Sequence, residues 1–272
     1  MSRAGSPARR ASPIRPLRAL AAAALVASAA GAWAYLPPAT AILKRVAQRR
    51  EDLALGAIEA RGTIAVPADV ARRLALAGAD APGTAPASEV SVPAVVAVKI
   101  PGRCRLELAP PGVAPADRPS ASVKAGRFTG HRGLDGVPAA RALVEGICTL
   151  IGEKASGPPE PERALAQALA SRGVALADVA LGRIAGRVAW VLGGRPQDAR
   201  PQAWIDKATF QPVRLVAPLA GSVQDVRLVD FGSPVGGDAF PRALEVWTGT
   251  QLQLRFSTER TTQNPKLPDV LF

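Results

Sequence analysis

The residues able to do chemistry are few and far apart. His131 is the single histidine of the chain, so any site built on two or more imidazoles is excluded and imidazole-assisted nucleophile activation rests on one residue. It lies in Gly130-His131-Arg132-Gly133-Leu134-Asp135-Gly136, whose composition reads as a solvated loop. Cys104 and Cys148 are the only cysteines, and without a CxxC pair neither a zinc ribbon nor a thioredoxin-type redox couple can be assembled. Asp206, Asp225, Asp230 and Asp238 fall near expected strand ends and turns, where carboxylates usually satisfy backbone donors. Phosphate loops, dinucleotide fingerprints, nucleophile elbows and metal-ligand spacings do not occur. The residue types therefore point to a protein that is not an enzyme, with no catalytic residues, no metal and no cofactor.

What remains is apolar chemistry. Val188, Trp190 and Leu192 alternate, as do Val213 and Leu215, and then Leu252, Leu254 and Phe256; alternation of this kind gives strands with one apolar face. These eight residues are the expected lining of a ligand cavity. Trp190, Trp204 and Trp247 fall on three different strands of the same sheet, placed either to line such a cavity or to fill a core.

The elements that position them follow from the rest of the pattern. Hydrophobic residues make up 48% of the 272 and aromatics only 4%, so the core is aliphatic. Pro (26) and Gly (25) are too frequent for a long helical bundle and too scattered for a collagen-like repeat. Residues 40–60 carry Ile42, Leu43, Val46, Leu53, Leu55 and Ile58 at helical spacing, ending at Arg61-Gly62, with a first strand over 63–66. A loop is expected over 79–88 and a valine-rich strand over 89–100, its Pro93 marking an edge or bulge. Pro101-Gly102 makes a hairpin turn into 103–108, where Cys104, Leu106 and Leu108 share one face. A Pro-rich loop over 109–119 and a short strand at 121–125 follow. After Pro138, Leu143, Val144, Ile147 and Ile151 form the apolar face of a lid helix, with Cys148 beside it, and a second helix spans 162–171. From Gly186 onward six strands alternate with turns. An antiparallel sheet with one apolar face needs a cover, and the helices supply it. The expected fold is α+β: a curved antiparallel sheet forming a half-open β-barrel covered by a few α-helices, as one domain over 35–272.

The chain opens with five arginines and no acid over 1–18, followed by an uncharged, alanine-rich stretch that continues to Leu43. This is the order of an export signal, with Ala32-Trp33-Ala34 as the cleavage site; the alternative is an uncleaved inner-membrane anchor, since the stretch is long enough to span a bilayer. Either way the remainder is delivered to the periplasm. The formal charge of the whole chain is +12; beyond residue 34 there remain 29 basic and 22 acidic residues, or +7. With no arginine or lysine run longer than two beyond the signal and few aromatics, no nucleic-acid partner is expected, while attraction to anionic membrane surfaces stays open. In an oxidising compartment Cys104 and Cys148 either pair or stay as two buried thiols.

Several segments resemble the periplasmic outer-membrane lipoprotein-sorting (LolA-like) family: the helix opening Ala41-Ile42-Leu43-Lys44-Arg45-Val46 that leads to Ala60-Arg61-Gly62-Thr63, Trp204-Ile205-Asp206-Lys207 followed by Pro212-Val213-Arg214-Leu215, the strand from Asp225 to Phe231, Phe240-Pro241, and the closing Asn264-Pro265 to Phe272. The central stretches 109–119 and 126–137 depart from it. The resemblance implies a half-open barrel with a helical lid that shields the acyl chains of lipids or lipoproteins between sheet and helices. The functions it implies are a periplasmic carrier or binder of acyl chains or, on the same fold with a solid interior, a non-enzymatic module that senses or binds envelope membrane proteins.

Overall fold

Pro138 opens a helix whose polar face is no more than one narrow stripe, Arg141, Glu145 and Thr149 four residues apart. The computed structural model describes residues 36–74, 76, 89–154 and 158–272, and within them the helix α3 (Pro138–Leu150) buries eleven of its thirteen residues. The expected export signal over 1–34 and the loop over 79–88 lie outside the described residues. A helix buried all round must be wrapped, and α3 touches β3 (Arg103–Leu108) and β4 (Ser120–Lys124) on one side and β9 (Pro212–Leu219), β10 (Ser222–Val229) and β11 (Ala243–Thr248) on the other.

Those strands belong to one antiparallel sheet of twelve, in the order β5-β4-β3-β2-β1-β12-β11-β10-β9-β8-β7-β6. The remaining members are β1 (Ala57–Pro67), β2 (Glu89–Lys99), β5 (Arg127–His131), β6 (Val179–Ile184), β7 (Arg187–Leu192), β8 (Gln202–Asp206) and β12 (Gln251–Gln263). The sheet is curved and unclosed, with β5 and β6 as its edges. The fold is thus α+β with helices over one face, as the alternation implied. Helices α1 (Ala39–Asp52), α2 (Ala68–Arg73) and α4 (Arg163–Ser171) complete it. Residues 37–272 form one compact unit, and among the described residues no helix is long and apolar enough to cross a membrane.

Three irregularities bend the sheet. Opposite β1 the register skips Glu259, opposite β11 it skips Gln253, and opposite β8 it skips Val213; each leaves two residues against one, the geometry that kinks a strand and tightens its twist. At the first, β12 passes so close that a Cβ on Gly62 would lie 1.9 Å from the Ser257 carbonyl oxygen. Arg61-Gly62 therefore does not end a helix, as expected from sequence. It lies inside β1, because that glycine is needed where two backbones nearly touch. The first helix stops at Asp52 and Ile58 is a strand residue.

Other elements differ in smaller ways. Pro93 is in an interior strand, yet it sits where β3 ends: regular pairing stops at Ala94, and past it the Ala109 amide donates to the Pro93 carbonyl at 2.7 Å. Of the His131 segment, Gly130 and His131 close the edge strand β5, with His131 exposed opposite Ser120, while residues 132–136 are the expected turn, ending in a short 3-10 helix. Helix α2 and strand β6 carried no recognised pattern; β6, with Gly182 and Arg183 in its middle, lacks apolar alternation.

The end of the chain straps the convex face of β1 to β3. Leu267, Leu271 and Phe272 pack on Ala57 and Ala97, Asp269 binds Lys99 and Arg103, and Arg105 donates to the Leu271 carbonyl at 3.0 Å. The hydrogen bond from Lys99, helped by the nearby charges of Arg103 and Lys124, holds the Asp269 carboxyl below the usual carboxylate range.

Two outcomes follow from this packing. A Cβ on Gly146 would lie 2.9 Å from both Val226 methyl carbons, so Gly146→Ala should destabilise the protein by roughly 1–3 kcal/mol through overpacking, read as a lower urea midpoint at unchanged slope. Because Asp269 is depressed in the folded state, its contribution is complete above the ordinary aspartate value and is lost as pH falls through the folded one. The protection factors of the amides over 265–272, each taken against the intrinsic exchange rate at the same pH, should fall on acidification below about pH 4, and Asp269→Asn should show that lower protection already at neutral pH.

Candidate ligand-binding site

Two things hold α3 inside the sheet. Cys104 on β3 is bonded to Cys148 on α3, with Cα atoms 5.6 Å apart, which settles the choice between a bridge and free thiols. Arg50, on the last turn of α1, donates to the carbonyls of Leu150 and, at 2.8 Å, Glu153, supplying the donors that the end of a helix lacks. Burial lowers the Arg50 guanidinium to about 10, with the Glu153 charge working against the shift, so it remains a cation at neutral pH. Burial likewise raises the Glu153 carboxyl, and Arg50 opposes it. A third tie is ionic: Glu145, 5% exposed, accepts from Arg141 at 2.8 Å and from Arg172 at 2.9 Å, fastening α4 to α3.

The expected lid residues Leu143, Val144, Ile147 and Ile151 are all buried against the sheet. Of the eight expected cavity residues, Trp190, Leu192, Leu215, Leu254 and Phe256 lie in the main core that includes α3, and Val188 shares the face of Trp190 by alternation. The other two do not face it. Val213 is the bulge residue of β9 and packs with Ala189, Val191 and Trp204 on the convex side. Leu252 is carried to that side by the bulge at Gln253, where it opposes Trp247. Strict alternation assigned both to the cavity because a bulge inverts every residue beyond it.

Two of the three tryptophans are convex as well. Arg214 lies over Trp204 at 4.7 Å and Arg227 over Trp247 at 4.6 Å, and both arginines bind Asp225. Asp225 is therefore a mid-strand ion-pair centre rather than a turn residue. Asp206 does serve its turn, accepting from the Ala208 and Thr209 amides. Asp230 and Asp238 pair with Arg242 and Arg49. Among the described residues no three His, Cys, Asp or Glu side chains converge on a metal position.

The concave layer has two openings. Near the C-terminal end of α3, a cleft lined by Val46, Leu53, Ile100, Leu150, Phe210 and Phe231 holds only about 40 Å³, room for a water or so and not for an acyl chain. At the opposite end, beside Val137 and Pro138, a mouth of about 310 Å³ opens between α2 and strands β10 to β12, within reach of the smaller ligand pockets. Its apolar walls are Val66, Val70, Ala139 and Leu254, and its rim is polar. On that rim Gln224 donates to Ser222 at 2.7 Å and accepts from Thr248 at 2.9 Å. Leu254, itself buried, is the one residue of the expected cavity that lines this mouth; the rim amide and hydroxyls have no sequence signal beyond ordinary strand polarity.

No family model matches the chain, and neither does any curated protein. Among solved structures the fold is similar to that of LolA superfamily protein NE2245 from Nitrosomonas europaea, at 12% identity and a TM-score of 0.42 over 87% of this chain and 98% of that one. A DUF1329 family protein from Desulfovibrio piger aligns at 9% identity and 0.39 over 87% and 98%. MucB, solved in complex with MucA(peri), aligns at 15% identity and 0.28 over 85% of this chain and 57% of that one. The first carries the family name that the sequence resembled. At these scores the likeness is one of general plan and assigns no ligand, partner or activity.

The bridge between α3 and β3 closes a span of 44 residues. Replacing both cysteines by alanine should cost about 4 kcal/mol of unfolding free energy on the loop-entropy model, measured by denaturant unfolding of parent and variant under non-reducing conditions.

Proposed function

We propose that the protein is a non-enzymatic, periplasmic binder or carrier of lipid or lipoprotein acyl chains, which enter the concave layer at the mouth between α2 and β10 to β12. The observation that carries the reading is that mouth: an apolar floor ending at Leu254, framed by the Gln224, Ser222 and Thr248 polar groups, suits an amphiphile with its tail inward and its head at the rim. Beyond the mouth the layer is filled by side chains, so a longer tail enters only by parting α3 and the strands. Burial supplies the means, since ten methylenes taken out of water are worth about 8 kcal/mol, comparable to the whole stability of a small domain.

A second reading rests on a different observation. The layer is already full, and α3 is fixed by a disulfide and by Arg50. A solid interior suits a module that meets envelope proteins through its surface.

Native mass spectrometry of the protein purified without detergent from an exporting host, followed by organic extraction, tests the first reading against the second. The expected result is a bound acyl species, or uptake of added palmitate, in the parent and its loss in Leu254→Trp, which plugs the mouth while staying apolar. A clean mass with no uptake of palmitate or lysophospholipid by the parent would sink the carrier reading and leave the second.

A further inference from the structure

Away from the mouth, on the convex face, four cations stand in one row. Val98, Cys104, Val123 and Phe128 oppose one another across β2 to β5 and face the core. The next row outward in register is Lys99, Arg103, Lys124 and Arg127, which therefore lies on the convex side. Side chains directly opposite on neighbouring strands are about 5 Å apart, and like charges so placed repel. The row has one carboxylate, Asp269, bound to Lys99 and Arg103; Lys124 feels the charge of that same carboxylate without an ion pair to it, and both Lys124 and Arg127 are exposed. Of the acids on these strands, Glu107 is taken by Arg105 and Arg118, and Glu89 stands at the far end of β2 from Lys99. Lys266 is exposed on the strap and lines the same hollow as Lys99.

Next to this excess of positive charge stands the most exposed large apolar side chain among the described residues. Val270, between Asp269 and Leu271, is 91% exposed while its neighbours Leu271 and Phe272 pack on the sheet. A repulsive cation row is tolerated where something anionic completes it, and an isolated apolar tip beside it is the second element that interfacial binding uses.

We propose that this corner of the convex face docks on an anionic lipid bilayer, with the row from Lys99 to Arg127 against the headgroup phosphates and Val270 entering the boundary between headgroups and acyl chains. The site is separate from the mouth and does not depend on what the concave layer holds. Each basic residue near an anionic surface strengthens binding by about fivefold, and the attraction fades within a Debye length of about 10 Å at 0.1 M salt.

Co-sedimentation with vesicles of phosphatidylcholine containing one-third phosphatidylglycerol, against vesicles of phosphatidylcholine alone, tests this. The parent should bind the first and not the second. Lys124→Gln with Arg127→Gln should weaken binding by roughly 30-fold, and Val270→Ser by roughly tenfold. Lys124→Arg should bind like the parent. All three positions are surface ones, and equal thermal midpoints confirm that the variants fold. Any contribution from the N-terminal apolar stretch is common to parent and variants and cancels in the ratio. Equal binding to both vesicles, or variants that bind like the parent, would overturn the proposal. So would release by inorganic phosphate beyond that caused by chloride of equal ionic strength, which would mark a discrete anion site, or capture of an acidic protein with no vesicle binding.

Discussion

Everything in this fold hangs on burying a helix nearly all round, its narrow polar stripe included. Glu145 and Thr149 are its only buried polar side chains, and each is satisfied, Glu145 by two arginines and Thr149 by the Glu145 carbonyl. A flat sheet covers one stripe of a helix; burying nearly all of α3 takes a sheet rolled around it, and the rolling in turn requires bulges where strands would otherwise run straight. Small residues set how closely this is done. Gly146 lets β10 approach the helix, and Gly62 lets β12 approach β1.

The convex side solves a different problem, which is how a basic chain presents a wide sheet face to water without like charges meeting. Over β8 to β12 the answer is alternation: Trp204, Arg214, Asp225, Arg227, Trp247 and Glu245 form a sequence of stacked and ion-paired neighbours across the strands. Over β2 to β5 that device is confined to Glu107 with Arg105 and Arg118, and the strap supplies the single acid of the cation row. The two halves of one sheet therefore differ in kind, one electrostatically closed on itself and one left open.

Most of the architecture could be read from period alone. Cys104, Leu106 and Leu108 alternated and are buried, and the stripe of Leu143, Val144, Ile147 and Ile151 did mark the central helix. What failed was local. Val213 and Leu252 were assigned to the cavity because alternation has no way to announce a bulge, and the glycine of Arg61-Gly62 read as a breaker because close backbone approach leaves the same trace as a turn. Strand β6 was hidden because an edge strand needs no apolar face, and its arginine and glycine are the usual guards against edge-to-edge pairing. The candidate mouth was legible only through Leu254, since it joins residues of the paired strands β10 and β11 to α2, a helix with no recognised pattern in the sequence.

The unpaired edges at β5 and β6 carry a consequence for how this shell can breathe. In a closed barrel, strand number and shear fix the radius; an open sheet carries no such hoop. The disulfide ties the helix to the β3 side alone, while β9 to β11 hold it by packing only. The molecule is thus built like a vice with one jaw welded to its contents and the other free to slide, so any widening of the interior is confined to the half of the sheet that bears Trp190, Leu215 and Leu254.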